Sequence, residues 1–180
     1  MEPKTEKSSD CANSDELLKL KQRIKAGVGN VLFVCTGNIC RSPAAEYVLR
    51  AKLETQKINN MMAFSAGLVD MGRQPPPREM VEIAADFSVN MENHRSKTIT
   101  HKAVGDADLI FTMEAFHRNK IHALFPDHQQ KVFMLSLFDS KFNGININDP
   151  LGMSFYHYRY CFDRIDSLVQ KLIPVLQNIP

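Results

Sequence analysis

The chain reads as an α/β protein: a single three-layer domain in which a four-stranded parallel sheet is flanked by helices on both faces. An anion-binding loop follows the first strand. Two observations carry this reading. Short apolar runs at 31–34, 61–64, 109–113 and 132–135 are separated by stretches of helical period, and strands that alternate with helices pair in parallel through right-handed crossovers. The first run, rich in β-branched and aromatic residues, leads through a glycine-containing loop directly into a helical pattern, and such a unit binds anions at the helix mouth.

The elements follow in order. Residues 1–28 form a polar extension whose first 13 residues are of mixed charge and read as disordered. Ser14 can cap a short helix with Leu17, Leu20 and Ile24 on one face and Gly27 as its stop; loose packing is the expectation. Residues 29–180 form the domain proper. After the first strand, Ser42 is read as a helix cap, Pro43 fits the first turn, and Ala44, Ala45, Val48, Leu49 and Leu53 recur at helical spacing. The second strand closes at Ser65, Ala66 and Gly67. A loop over 68–77 carries three consecutive prolines, Pro75 to Pro77. An amphipathic helix over 78–87 then turns Met80, Val81, Ala84 and Phe87 inward. Thr100 caps a short helix to Val104, residues 114–124 form the helix after the third strand, and a long helix from 154 or 155 to 177 closes the chain.

Chemistry concentrates in residues 35–43. Cys35 lies at the end of the first strand, facing a helix N-terminus and inward-pointing amides, a setting that favours a nucleophilic thiolate. Arg41 presents a planar fork that can hold two phosphate oxygens as charge spreads over them. Ser42 can donate its hydroxyl to the cysteine sulfur. The pattern is Cys-x5-Arg-Ser on a strand-loop-helix, and Gly37 permits unusual backbone angles inside it. A buried, inert Cys35 is the plain alternative for one cysteine alone, but the surrounding loop argues against it.

The segment Cys35-Thr36-Gly37-Asn38-Ile39-Cys40-Arg41-Ser42-Pro43 closely resembles the phosphate loop of the low-molecular-weight protein tyrosine phosphatases. The resemblance continues through Phe64 to Gly67, His94-Arg95-Ser96, Ala107 to Ile110 and Asp149-Pro150. It implies a phosphomonoester hydrolase acting through a phosphocysteine on Cys35, with Arg41 and the loop residues Thr36, Gly37, Asn38, Ile39, Cys40 and Ser42 around the phosphate. It also implies Ser65 and His94 as buttresses of that loop, alongside Asn38 and Ser42. The loop after the second strand would supply a pocket wall through Leu68, Val69 and Met71, with Leu151 opposite.

Expulsion of an alcohol or phenol needs a proton donor facing the thiolate. An Asp-Pro pair alone reads as a turn, but the family's order puts the acid there, which selects Asp149; Asp139, nearer the fourth strand, is the alternative. Leu151 and Gly152 stand where many relatives carry ring-stacking tyrosines. A phosphoarginine-specific branch carries threonine in place of Ile39. Ile39, inside the loop itself, favours phosphotyrosine, and a protein-arginine phosphatase is the alternative. An arsenate reductase would need two further cysteines in a later segment, and the chain has none between Arg41 and Tyr160. A non-catalytic phosphate-binding or redox-sensing module using Cys35 and Cys40 has no need of Asp149.

Composition bounds the partners. With 44% hydrophobic and 23% charged residues and a net charge of +2, the sequence has no sustained basic field for nucleic acid. No apolar run is long enough to insert in a membrane. The scattered histidines make no metal-ligand spacing, so neither metal nor cofactor is expected. A structural disulfide at Cys35 would remove the nucleophile, which favours a reducing, cytoplasmic setting. The expected partners are phosphorylated proteins, phosphotyrosine foremost.

Overall fold

The computed structural model describes residues 7–25, 27–139 and 144–177, with side chains described from Asp15 onward. Its elements are α1 (Lys7–Lys25), β1 (Asn30–Cys35), α2 (Arg41–Thr55), β2 (Met62–Gly67), α3 (Arg78–Asp86), α4 (His101–Asp106), β3 (Leu109–Thr112), α5 (Ala115–Leu124), β4 (Val132–Met134) and α6 (Phe155–Gln177). Short 3₁₀ turns, Pro126–Lys131 and Leu135–Phe138, flank β4.

Among the described residues the strands form one four-stranded sheet in the order β2-β1-β3-β4, every pair parallel. Because side chains alternate along a strand, Val31, Phe33 and Cys35 of β1 face one layer and Leu32 and Val34 the other. The first layer holds α1, α2, α3 and α6; the second holds α4 and α5. Phe33 and Phe111 stack at 6.0 Å between ring centres at the heart of the larger layer. Each such fully buried side chain contributes about 1.5–3 kcal/mol relative to exposure. β1 is paired on both sides: the chain leaves it outward to β2 and then crosses back to β3 on its other side, so the winding order reverses beside the carboxyl end of β1. That is where open parallel sheets hold ligands.

Several local expectations are corrected. Helix α1 starts at Lys7 rather than after Ser14, and it is not loosely attached. Leu20 and Ile24 are buried in the same core as α6, and Glu16 pairs with Arg118 of α5 at 2.7 Å. The expectation of disorder over residues 1–6 lies outside the described residues. Ser42 does not cap α2: the helix begins at Arg41, Cys40 occupies the cap position without a side-chain bond, and the Ser42 hydroxyl is committed elsewhere. Strand β2 runs on through Gly67 because its last residues still pair with β1. In α3 the buried residues are Met80, Ile83 and Ala84, with Val81 and Phe87 only half-buried. Thr100 does cap α4, accepting from the Ala103 amide at 3.1 Å.

Candidate active site

Residues 36–40 turn over the end of β1 and deliver Arg41 and Ser42 into the first turn of α2. The turn requires a left-handed residue, and Asn38 adopts it with φ 55°. Asparagine tolerates that conformation when its side chain is bonded locally. Here its Nδ2 donates to Ser42 Oγ at 3.0 Å and Ser65 Oγ at 2.7 Å. Its Oδ1 accepts from the Lys97 amide at 2.9 Å. Its carbonyl meets His94 Nε2 at 2.8 Å, and a carbonyl can only accept, so Nε2 carries the proton. Burial holds the His94 pKa below its usual value, against the opposing effect of that bond. His94 thus donates from Nε2 to the backbone of the loop. Ser65 in turn donates to buried Glu46, whose pKa burial raises.

The loop is also clamped from below. The Leu68 and Val69 amides donate to the carbonyls of Cys35 and Thr36 at 3.0 and 2.9 Å, so the ladder continues past the end of β2. At Gly67 a Cβ would stand 2.8 Å from the Gly37 carbonyl carbon and 2.9 Å from the Asn38 nitrogen. Only a glycine lets β2 approach the loop this closely.

Cys35 Sγ lies 3.1 Å from Ser42 Oγ and accepts from the Asn38 amide at 3.3 Å. Arg41 is 1% exposed, and its fork is held by carboxylates from two separate segments. Nη1 donates to Glu114, the residue that precedes α5, and to the Ile147 carbonyl at 3.0 Å. Nη2 donates to Asp149 and, at 3.5 Å, to Thr36 Oγ1. Burial, the largest influence, lowers the guanidinium pKa, but Cys35, Asp149 and Glu114 together outweigh it and the net shift is upward. Arg41 Nε is buried without a hydrogen-bond partner among the described residues, a donor available to an anion. Burial, then Asp149 and Cys35, push the Cys40 pKa far up and keep it a thiol.

These groups surround a cleft of about 90 Å³ lined by Cys35, Thr36, Gly37, Ile39, Cys40, Arg41, Met71, Asp149 and Leu151. Met71 covers Gly37, its Cγ 3.0 Å from where a Cβ would sit. Leu68, expected in the wall, is not there; strand alternation turns it with Phe64 and Ile99 against the smaller core layer, and Val69 points outward. Asp139 is outside the cleft, paired with Arg164 at 3.2 Å. Asp149 accepts at Oδ1 from the Leu151 amide at 3.2 Å, which folds its Asp-Pro turn over Arg41.

Sequence reasoning missed Glu46, Glu114 and His117. His117, on α5 and fully buried, bonds Thr36 Oγ1 through Nε2 at 2.9 Å. Burial, then Arg41, lower its pKa to about 4. Glu114 and His117 were legible in one respect only: they follow the strand next to β1, at the same edge of the sheet as Cys35. No cluster of three or more potential metal ligands occurs among the described residues.

A sequence profile described as "Low molecular weight phosphotyrosine protein phosphatase" matches residues 30–179. The low molecular weight protein-tyrosine-phosphatase Etp of Escherichia coli K12 is 30% identical over 142 residues, covering 79% of this chain and 90% of that protein. The protein-arginine-phosphatase of Bacillus subtilis strain 168 is 30% identical over 149 residues, covering 83% and 97%. Among solved structures, the YwlE arginine phosphatase with a phosphorylated active-site serine superposes with a TM-score of 0.77 at 28% identity, covering 83% of this chain and 96% of that one. With the match running from β1 to the end of α6, this chain belongs to the low molecular weight phosphotyrosine protein phosphatase family.

Proposed function

We propose that this protein removes phosphoryl groups from other proteins through a phosphocysteine on Cys35, hydrolysing the phosphomonoester of phosphotyrosine ahead of the phosphoramidate of phosphoarginine. The observation that supports this reading is the cleft itself: Cys35, the buried fork of Arg41 and Asp149 line one small space with the loop between them.

In the first step the Cys35 thiolate attacks phosphorus, an S–P bond forms and the P–O bond to the tyrosine breaks. Asp149 gives its proton to the departing oxygen. Charge spreading over the equatorial oxygens is met by Arg41 and the amides of residues 36–40, donors already held in position. In the second step Asp149, now a carboxylate, takes a proton from water as that water attacks phosphorus. The S–P bond breaks and the pair of electrons returns to sulfur, steadied by Ser42 Oγ.

Ile39, Met71 and Leu151 give the cleft apolar walls that suit a phenyl ring and offer nothing to a charged guanidinium. Leu151-Gly152, in place of a tyrosine clamp, favours the second reading, a protein-arginine phosphatase. Paired phosphotyrosine and phosphoarginine peptides of one sequence decide between them. Phosphotyrosine is expected to be turned over at least ~10-fold faster, with label appearing on Cys35 when the reaction is quenched in acid. Faster phosphoarginine turnover would reverse the preference, and absence of labelled cysteine in a fast-quenched, active enzyme would overturn the covalent route.

A further inference from the structure

A second and larger depression adjoins the cleft and shares Asp149 with it. It has a volume of about 540 Å³, in the range that seats whole side chains, whereas the cleft of about 90 Å³ holds little beyond the phosphate. One wall is the 145–150 segment, with Ile145 and Ile147; the other is Met153 and the start of α6, with Tyr156 and Tyr160. Tyr156 and Tyr160 are four residues apart and so share a helix face. Ile145, Met153, Tyr156 and Tyr160 are all more than half exposed. Large apolar groups gathered in one exposed depression mark a recognition surface.

Two of its polar residues, Arg164 and His157, are already engaged. Arg164 holds Asp139 and donates to the carbonyls of Asn146 and Ile145 at 2.7 and 3.1 Å, which braces the wall from behind. His157 Nδ1 is bonded to Ser154 Oγ at 2.9 Å. An apolar occupant would cover the exposed tyrosine rings.

We propose that this groove seats an apolar or aromatic residue of the phosphorylated polypeptide, a few positions along the chain from the phosphorylated residue. The proposal rests on the reading of the Asp149 cleft as a phosphoprotein site. The argument is continuity: a polypeptide with its phosphate over Cys35 has to leave the cleft beside Met71 or beside Asp149 and Leu151, and the Asp149 side opens into the groove. Substrates would then be selected by phosphate and by a neighbouring bulky side chain together. The linked second contact supplies affinity that the small cleft cannot.

The test uses the full chain carrying Cys35→Ser, which binds without turnover, and fluorescent phosphotyrosine peptides. One set carries leucine or phenylalanine within three residues on either side, the other glycine and serine. The apolar set is expected to bind at least ~10-fold more tightly, as filling an apolar pocket gives. Adding Tyr156→Ser and Tyr160→Ser should erase the difference, while Tyr156→Phe and Tyr160→Phe should keep it. Equal binding of the two peptide sets, or a difference that survives the serine pair, would overturn the proposal. So would a wild-type dimer in sedimentation that the serine pair dissolves, since the groove would then seat a second copy. Hydrolysis of para-nitrophenyl phosphate by the wild type checks the underlying phosphatase reading separately; its absence would strike that reading without reference to any peptide.

Discussion

Replacing Gly67 by alanine tests whether the loop is held in place by the strand beneath it. The new Cβ would meet three backbone atoms, at 2.8 Å from the Gly37 carbonyl carbon and 2.9 Å from both the Asn38 nitrogen and the Thr36 oxygen. Ordinary contact begins near 3.4 Å, so one partner has to move by about 0.6 Å. The strand has little freedom to drop away. The Gly67 amide donates to the Lys97 carbonyl at 2.7 Å, and its carbonyl accepts from Ile99 at 2.8 Å. The loop therefore rises, against the bonds at Asn38. Overpacking of this kind costs about 1–3 kcal/mol, or a melting temperature lower by roughly 2–12 °C for a domain of this size. Since a misplacement of about 1 Å at a reacting centre costs ~10²-fold, a shift about half as large should lower kcat/KM by ~10-fold. Gly105→Ala is the control: a Cβ there meets nothing within 4 Å and lies inside α4, so stability should rise by about 0.5–1 kcal/mol. Turnover of para-nitrophenyl phosphate and thermal unfolding are measured for both variants. Wild-type values for Gly67→Ala would refute the clamp.

Two further predictions concern the acid and the buried histidine. Asp149→Asn should reduce turnover of a phosphotyrosine peptide, whose leaving group has a pKa near ~10, by ~10²-fold or more. The loss in the phosphorylation step with para-nitrophenyl phosphate should be much smaller, and equal losses would make Asp149 a structural turn residue. His117 resists protonation down to about pH 4 in the fold, while the unfolded imidazole takes its proton near ~6.5. The stability tied to the neutral ring is therefore present above pH ~6.5 and lost as pH falls toward ~4, a loss of order 3 kcal/mol. His117→Asn should lose less stability than wild type between about pH 7 and about pH 4.5 in urea unfolding; parallel losses would show that His117 does not carry the effect.

The path from residues to fold was legible wherever a periodic pattern met a strong local signal. β1 and the loop announced themselves through an apolar run, a glycine and the spacing of Cys35 and Arg41. The positions that escaped notice depend on long-range geometry. Glu114 meets Arg41 across 73 positions of sequence, and His117 meets Thr36 across 81; neither has a neighbour in the chain that hints at its partner. Ser42 followed a sound capping rule, yet the Cys35 sulfur and Asn38 claim its hydroxyl instead. Leu68 was misplaced for a simpler reason: β2 runs three residues further than its apolar run suggests, to Gly67, which fixes the face that Leu68 takes.

The two walls of the cleft are attached differently. On one side, the backbone leading to Met71 is tied by the Leu68 and Val69 amides to the carbonyls of Cys35 and Thr36. Any substitution that reshapes this wall through its backbone also disturbs the residues that do the chemistry, and its effects will be epistatic with theirs. On the other side, Leu151 stands half exposed beyond the Asp-Pro turn, held by its own short bond to Asp149. A change of side chain there can vary what rests against the phosphate without touching the loop. Substitution at position 151 should therefore alter what the cleft accepts without altering the nucleophile's setting, while backbone changes in the 68–71 wall should alter both.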